Sequence, residues 1–285
     1  MTKTFPQSSA ASATGSLPVL GAAMPIELLP TYRDWLMEHG GRDLEIQDGF
    51  MAAVLDSDWK PLVARAKETL DGYTGRMGIH GPFDGLWMAS SDPFVRKMIA
   101  QRYMRALEFA ADLGATHMVI HSPFLFFGHP QVAHAPSNGL QQQIEYVHDT
   151  LETVLPIARN LGLTLVIENI RDTNPAPLRT LVQSFNSELV RMSLDVGHAY
   201  LMQQIGGPSA DQWVLEVGSL LAHVHLQDND GFLDRHWNPG HGGINWRALF
   251  HALARIEARP RMILEVRGHE LARAANWLVG QGLAV

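Results

Sequence analysis

Between Leu221 and Trp246 the chain reads LAHVHLQDNDGFLDRHWNPGHGGINW, a short apolar run that passes into a loop dense in metal-ligand types. His225, Asp228, Asp230, Asp234 and His236 fall within a dozen residues, punctuated by Gly231, Gly240, Gly242 and Gly243. Neutral imidazole and ionised carboxylate are the usual ligands of zinc and its divalent neighbours. Asp234 and His236 stand two apart, so in extended backbone both side chains point to one side. The same residue types also serve plain turn chemistry, in which Asp, Asn and Gly satisfy and bend a surface loop.

Polar residues elsewhere in the chain favour the metal. His80, His121, Glu168, Asp195, His225 and Glu265 each end, or nearly end, a short apolar run: RMGIH, HMVIH, LTLVIE, RMSLD, AHVHL and MILE. Glu168 and Glu265 follow stretches of apolar residues, where a carboxylate is costly to bury unless a cation or hydrogen bonds offset it. Asp195 opens the run D-V-G-H, which sets His198 three residues on, in the following loop. His80 or His121 taken alone is also compatible with a hydrogen-bonded core histidine. His223 and His117 share strand parity with His225 and His121 but lie one layer deeper, and read as structural. His39, His129, His134, His148, His241, His251 and His269 read as solvated or capping residues.

These runs need a scaffold that brings their ends together. Apolar strands are expected at Leu17–Ala22, Asp43–Gln47, Arg76–His80, His117–His121, Leu163–Glu168, Arg191–Asp195, Ala222–Leu226 and Met262–Glu265. Helical patterns lie between them, at Ile26–His39, Trp59–Leu70, Leu140–Asn160, Pro177–Ser184, Ala210–Gly218, Trp246–Ile256 and His269–Val279. One further helix has Ser91 or Asp92 as N-cap and Pro93 at its first position, and stops at Gly114 after Leu113. Pro156 is expected to kink the helix over Leu140–Asn160. A polar loop spans Ser122 to Gly139. Alternating strands and helices imply a parallel sheet with a covered outer face. About eight such units in 285 residues is the count of an α/β (β/α)₈ TIM barrel, whose chemistry sits where the C-terminal strand ends converge. A doubly wound sheet fits less well, because no Gly-rich phosphate-binding turn follows the first strand. Residues 1–16 read as a flexible tail and residues 17–285 as one catalytic barrel domain.

Composition narrows the partners. The formal net charge is −7 with the Lys and Arg scattered, unlike the basic footprint of a nucleic-acid binder. Cys is absent, so a metal site must be built of His and carboxylate. The N-terminus lacks an apolar stretch of the kind a secretory signal carries, and no run approaches the ~18 apolar residues of a membrane span. A soluble cytoplasmic protein is expected, and an oligomer is compatible with this composition.

The motifs taken together resemble a known group. I-E-N at Ile167, Glu168 and Asn169, D-x-G-H from Asp195 through Gly197 to His198, and H-L-x-D…D-x-H…G-x-G-x-I-x-W from His225 to Trp246 resemble the xylose-isomerase-like superfamily over Leu17 to the C-terminus. That group holds sugar-phosphate isomerases and epimerases, inosose dehydratases and endonuclease IV. Its isomerase pattern implies one metal, Zn²⁺ or Mn²⁺, held by Glu168, Asp195, His225 and Glu265. Its endonuclease IV pattern implies a three-zinc cluster that adds His80, His121, His198, Asp234 and His236, with Glu168 bridging. Every one of these residue types is present.

The resulting expectation is a divalent-metal sugar or sugar-phosphate isomerase or epimerase, working by proton transfer through a metal-stabilised enediolate. Glu168 and Glu265 are the expected base and acid. His198 and Arg267 are expected to orient hydroxyls, and Trp87 and Trp237 to stack on a sugar face. The alternatives are an endonuclease IV-type multi-zinc phosphoesterase, an inosose dehydratase-like lyase, and a non-catalytic sugar-binding barrel. The last does not need two acid–base carboxylates.

Overall fold

A computed structural model describes residues 16–124 and 139–285. Among them, eight parallel strands close a barrel in chain order: β1 (Leu20–Met24), β2 (Leu44–Ile46), β3 (Met77–His80), β4 (His117–His121), β5 (Thr164–Glu168), β6 (Val190–Asp195), β7 (Leu221–Leu226) and β8 (Arg261–Leu264). The seam is a parallel pairing of β1 with β8, Ala22 beside Leu264. Residues 1–15 of the expected tail, and most of the loop expected after β4, lie outside the described residues.

The strands are short and buried on both faces, which is why they read as continuous apolar runs rather than as alternating ones. Around them pack α1 (Leu29–Met37), α2 (Ala52–Leu55), α3 (Lys60–Thr69), α4 (Pro93–Leu113), α5 (Leu140–Leu151), α6 (Val154–Leu161), α7 (Ala176–Ser184), α8 (Val196–Gln203), α9 (Ala210–Val217), α10 (Trp246–Leu253) and α11 (Leu271–Gly280). In α4 the buried side chains Ile99, Tyr103, Ala106, Leu107, Ala110 and Leu113 recur at helical spacing, so one stripe faces the barrel. Asp92 caps this helix by accepting from the Phe94 amide at 2.8 Å. Gly114 ends it in the left-handed conformation, at φ 83°.

Three expectations need correcting. The first strand begins at Leu20, not Leu17, because its register is set by pairing of Leu20 with Met262 and of Ala22 with Leu44. The helix expected over Leu140–Asn160 is two helices, broken between Leu151 and Val154. Pro156 has no N–H to offer the Glu152 carbonyl four residues back and its ring crowds that carbonyl, so the break falls there. His198 is not in a loop: it lies in the first turn of α8, which starts directly on Asp195. No helix among the described residues is long and apolar enough to cross a membrane.

Candidate metal centre

Four consecutive strands carry the inner donors. Glu168 ends β5, Asp195 ends β6, His225 is the penultimate residue of β7, and Glu265 follows the last residue of β8. Parallel register sets Asp195 beside His225 and His121 beside Glu168. One donor atom from each of Glu168, Asp195, His225 and Glu265 lies within 4.8 Å of all the others. Nδ1 of His225 is 3.0 Å from Glu168 Oε1 and 3.3 Å from Glu265 Oε2, so the two glutamates flank one imidazole. None of the four is more than 8% exposed.

Their supports are local and specific. Asn169 clamps β6: its Oδ1 accepts from the Asp195 amide at 2.7 Å and its Nδ2 donates to the Asp195 carbonyl at 3.1 Å. Asp195 Oδ1 also caps α8 by accepting from the His198 amide at 2.7 Å. The Gln227 amide donates to Asp195 Oδ1 at 3.3 Å and to Asp234 Oδ1 at 2.6 Å. The glycine of D-V-G-H makes room for this, since a Cβ at Gly197 would overlap the Gln227 amide.

The outer residues of the expected set converge on the same mouth. Nε2 of His80 and Nε2 of His121 each lie 3.6 Å from Glu168 Oε2. Asp234 Oδ2 is 3.3 Å from His198 Nε2 and 3.0 Å from His236 Nε2. Three of these imidazoles are oriented from behind. Nδ1 of His80 donates to the Gly81 carbonyl, that of His198 to the Asn169 carbonyl and that of His236 to the Glu265 carbonyl, at 2.8–2.9 Å. A carbonyl can only accept, so each Nδ1 carries a proton, and loss of any second proton from Nε2 leaves a lone pair facing the mouth, the arrangement that metal-ligating histidines require. His236 holds its place at a positive φ of 49°, a strained position for a non-glycine residue.

The donors fit a divalent cation. Glu168 Oε2 and Asp195 Oδ2 are buried without a hydrogen-bond partner, a costly condition for carboxylates that a cation relieves. Protons and a cation compete for these donors. Burial alone would raise Glu168, but His225 beside it holds the carboxyl well below its usual range. Asp195 is pushed up to about 7, chiefly by burial, with His198 offsetting only part. Burial alone would lower His225, but Glu265, Glu45 and Glu168 hold it well above its usual value. Burial alone would lower His236, but its hydrogen bond to Asp234 and the charges of Glu265, Asp234 and Asp195 together raise it to about 10. His121, by contrast, is pushed down to about 3 by burial.

The remaining expected residues are less central. Trp87, in the loop after β3, is 40% exposed and donates from Nε1 to the Pro123 carbonyl at 2.7 Å. Trp237 is half-buried, and its backbone pairs with Asp228 in an antiparallel bridge. Arg267 is exposed, two residues beyond Glu265. Asp228 and Asp230 turn out to serve the loop itself. Asp228 accepts from the amides of Asn229 and Gly240 and from Trp246 Nε1; Asp230 accepts from Phe232, Leu233 and Arg235.

Sequence reasoning missed four contributors. Glu45, 0% exposed in β2, reaches His225 Nε2 with Oε1 at 3.0 Å. Gln227 and the clamping role of Asn169 went unnoticed, although both adjoin motif residues. Phe83 stacks on His121 at 4.4 Å between ring centroids and packs edge-on against His80 at 5.1 Å. The only signal for Glu45 was a carboxylate in the middle of an apolar strand.

A family model described as the xylose isomerase-like TIM barrel matches residues 34–282. The protein MJ1311 of Methanocaldococcus jannaschii is 28% identical over 196 residues, which cover 66% of this chain and 64% of that protein, under two thirds of its own length. Among solved structures, the TTHB071 protein from Thermus thermophilus, soaked with ZnCl₂, is 26% identical with a TM-score of 0.65, covering 92% of this chain and 98% of that one. A D-tagatose 3-epimerase-like protein has a TM-score of 0.71 at 23% identity, covering 93% of this chain and 100% of that one, and shares the fold.

Proposed function

The chain belongs to the xylose isomerase-like TIM barrel family, and on that premise we propose that it is a divalent-metal-dependent sugar or sugar-phosphate isomerase or epimerase. One observation carries the reading: two carboxylates, Glu168 and Glu265, flank His225 Nδ1 at 3.0 and 3.3 Å inside a buried four-donor set. The epimerase-like neighbour supports a sugar as the substrate class, and the zinc-soaked one supports a cation of the zinc kind. Glu168, Asp195, His225 and Glu265 would hold the ion. Bound there, it supplies a Lewis acid to adjacent substrate oxygens.

The chain's own residues do the rest. Glu168, on the β5 side, takes the proton from the carbon beside the substrate carbonyl. Glu265, on the β8 side, delivers a proton to the neighbouring atom or the opposite face of the resulting enediolate. His198 orients a hydroxyl from the first turn of α8, and Arg267 a more distant one. Trp87 and Trp237 offer aromatic faces to the sugar, and Phe83 walls the His80 and His121 side against water. The test is solvent deuterium incorporation into a panel of ketoses and their phosphates by metal-loaded protein. Loss of water from an inositol-like ketone without such exchange would replace this reading with the lyase.

A second reading has its own observation. His80, His121, His198, Asp234 and His236 extend the donor set beyond what one ion needs, with His80 and His121 both 3.6 Å from Glu168 Oε2. Such a set suits a multi-metal phosphoesterase, in which clustered ions activate water and clamp phosphate oxygens. Counting bound metal per chain separates the two: one exchangeable ion at this mouth favours the isomerase or epimerase, two or three favour phosphoester chemistry.

A further inference from the structure

One layer deeper in the barrel lies a second set of donors that the function above leaves unused: Glu45 from β2, His117 from β4 and His223 from β7. All three are 0% exposed. One donor atom from each lies within 4.8 Å of the other two. Buried polar atoms in folded proteins nearly always find a partner, yet here four do not: Glu45 Oε2, both ring nitrogens of His117, and His223 Nε2. Glu45 Oε2 and His223 Nε2 are 3.0 Å apart but poorly aligned for a hydrogen bond.

Glu45 and His223 are each fixed by their other polar atom, and His117 by packing. Oε1 of Glu45 engages His225 Nε2 at 3.0 Å, which leaves Oε2 for the interior. Nδ1 of His223 is 2.8 Å from Ser193 Oγ, which leaves Nε2. The ring of His117 fills the space that Gly78 vacates, for a Cβ there would overlap it. Burial first, and then the Arg261 charge, hold His117 neutral, well below the usual histidine range, and the neutral ring is the form that ligates.

We propose that Glu45, His117 and His223 form a second, sealed divalent-cation site inside the barrel, beneath the proposed catalytic one. Two imidazoles and a carboxylate are a zinc-type donor set, whereas Mg²⁺ and Ca²⁺ take oxygen ligands. The inference is independent of which reaction the upper site performs. The two sites share one residue, Glu45, whose two oxygens face one site each. Because no atom of the triad reaches solvent, the ion is acquired as the barrel closes and leaves only when the barrel opens.

That sealing supplies the experiment. The full chain is unfolded in guanidinium chloride with EDTA, refolded with ZnCl₂, dialysed as native protein against EDTA, and its zinc counted by mass spectrometry. The expected result is about one EDTA-resistant equivalent in the wild type and in Asp195→Asn, and none in His117→Leu, which keeps exchangeable zinc. Should His117→Leu fail to refold, wild type refolded with Co²⁺ decides instead, an EDTA-resistant visible band being expected. A wild type stripped completely by EDTA overturns the proposal. So does resistant zinc that survives in His117→Leu or disappears in Asp195→Asn, and so does a cobalt band that EDTA removes.

Discussion

Oε1 of Glu45 sits 3.0 Å from Nε2 of His225, on the opposite edge of the ring from Glu168 and Glu265. The imidazole is thus gripped from below and presents Nδ1 to the candidate centre. Carboxylates placed behind metal-ligating histidines fix the ring and raise its basicity. Glu45→Gln should therefore weaken binding at the upper site by roughly 10–100-fold, read by competition with a chromogenic chelator. An unchanged affinity would mean that packing alone orients His225.

Metal affinity should rise with pH. His225 is held above its usual value, and Asp195 titrates near 7, so an incoming ion must displace their protons. Calorimetry in buffers of different ionisation enthalpy should show more than one proton released per ion near neutrality. Binding that does not vary between pH 6 and 9 would contradict this.

Ion-free protein should lose stability as pH climbs. His236 is raised to about 10 from an unfolded value near ~6.5. The folded state then binds more protons than the unfolded state between those values, and its advantage, complete below ~6.5, fades as pH passes through the raised pKa. Asp195, raised to about 7, acts in the same direction from its own unfolded value of ~3.9 upward. Thermal unfolding with EDTA at a series of pH values is the check, and the zinc-loaded protein should give the flatter curve.

Glu168→Gln and Glu265→Gln should each abolish deuterium exchange at the substrate carbon. Rates are to be compared at saturating metal, with metal content measured alongside. A variant that keeps its ion and near-wild-type exchange has a ligand there and not an acid–base group.

Abasic-site duplex DNA should not be incised. Binding to duplex DNA draws heavily on Lys and Arg neutralising phosphates, and a chain of net charge −7 starts from repulsion. Robust incision by metal-loaded protein, lost in His236→Ala, would install the phosphoesterase reading.

Much of this architecture was legible because closed parallel barrels write themselves as apolar runs ending in polar residues. HMVIH is β4 to the residue, and Asp92, Pro93 and Gly114 bound α4 as their cap chemistry requires. The short α8 was not legible, because its start is also the ligand motif D-V-G-H and its residues show no polar–apolar alternation at helical period. Glu45 escaped because attention to strand ends overlooks the middle of a strand. Its neighbours in register are Ala23 and Gly78, and the space that Gly78 leaves is taken by the His117 ring rather than marked by any pattern beside Glu45. No local pattern announces a contact with His225, which lies far along the chain and is brought near only when the barrel closes.

The four inner donors come from β5, β6, β7 and β8 and from no other strand. A chelate built this way ties the C-terminal half of the chain to itself and leaves the β8–β1 seam to backbone pairing. Amide protons of β5 to β8 should then exchange more slowly when the ion is bound, while those of β1 and β2 change less. The ring is symmetric in its hydrogen bonds and lopsided in its fastening, so with the ion in place it should open first along its earlier strands.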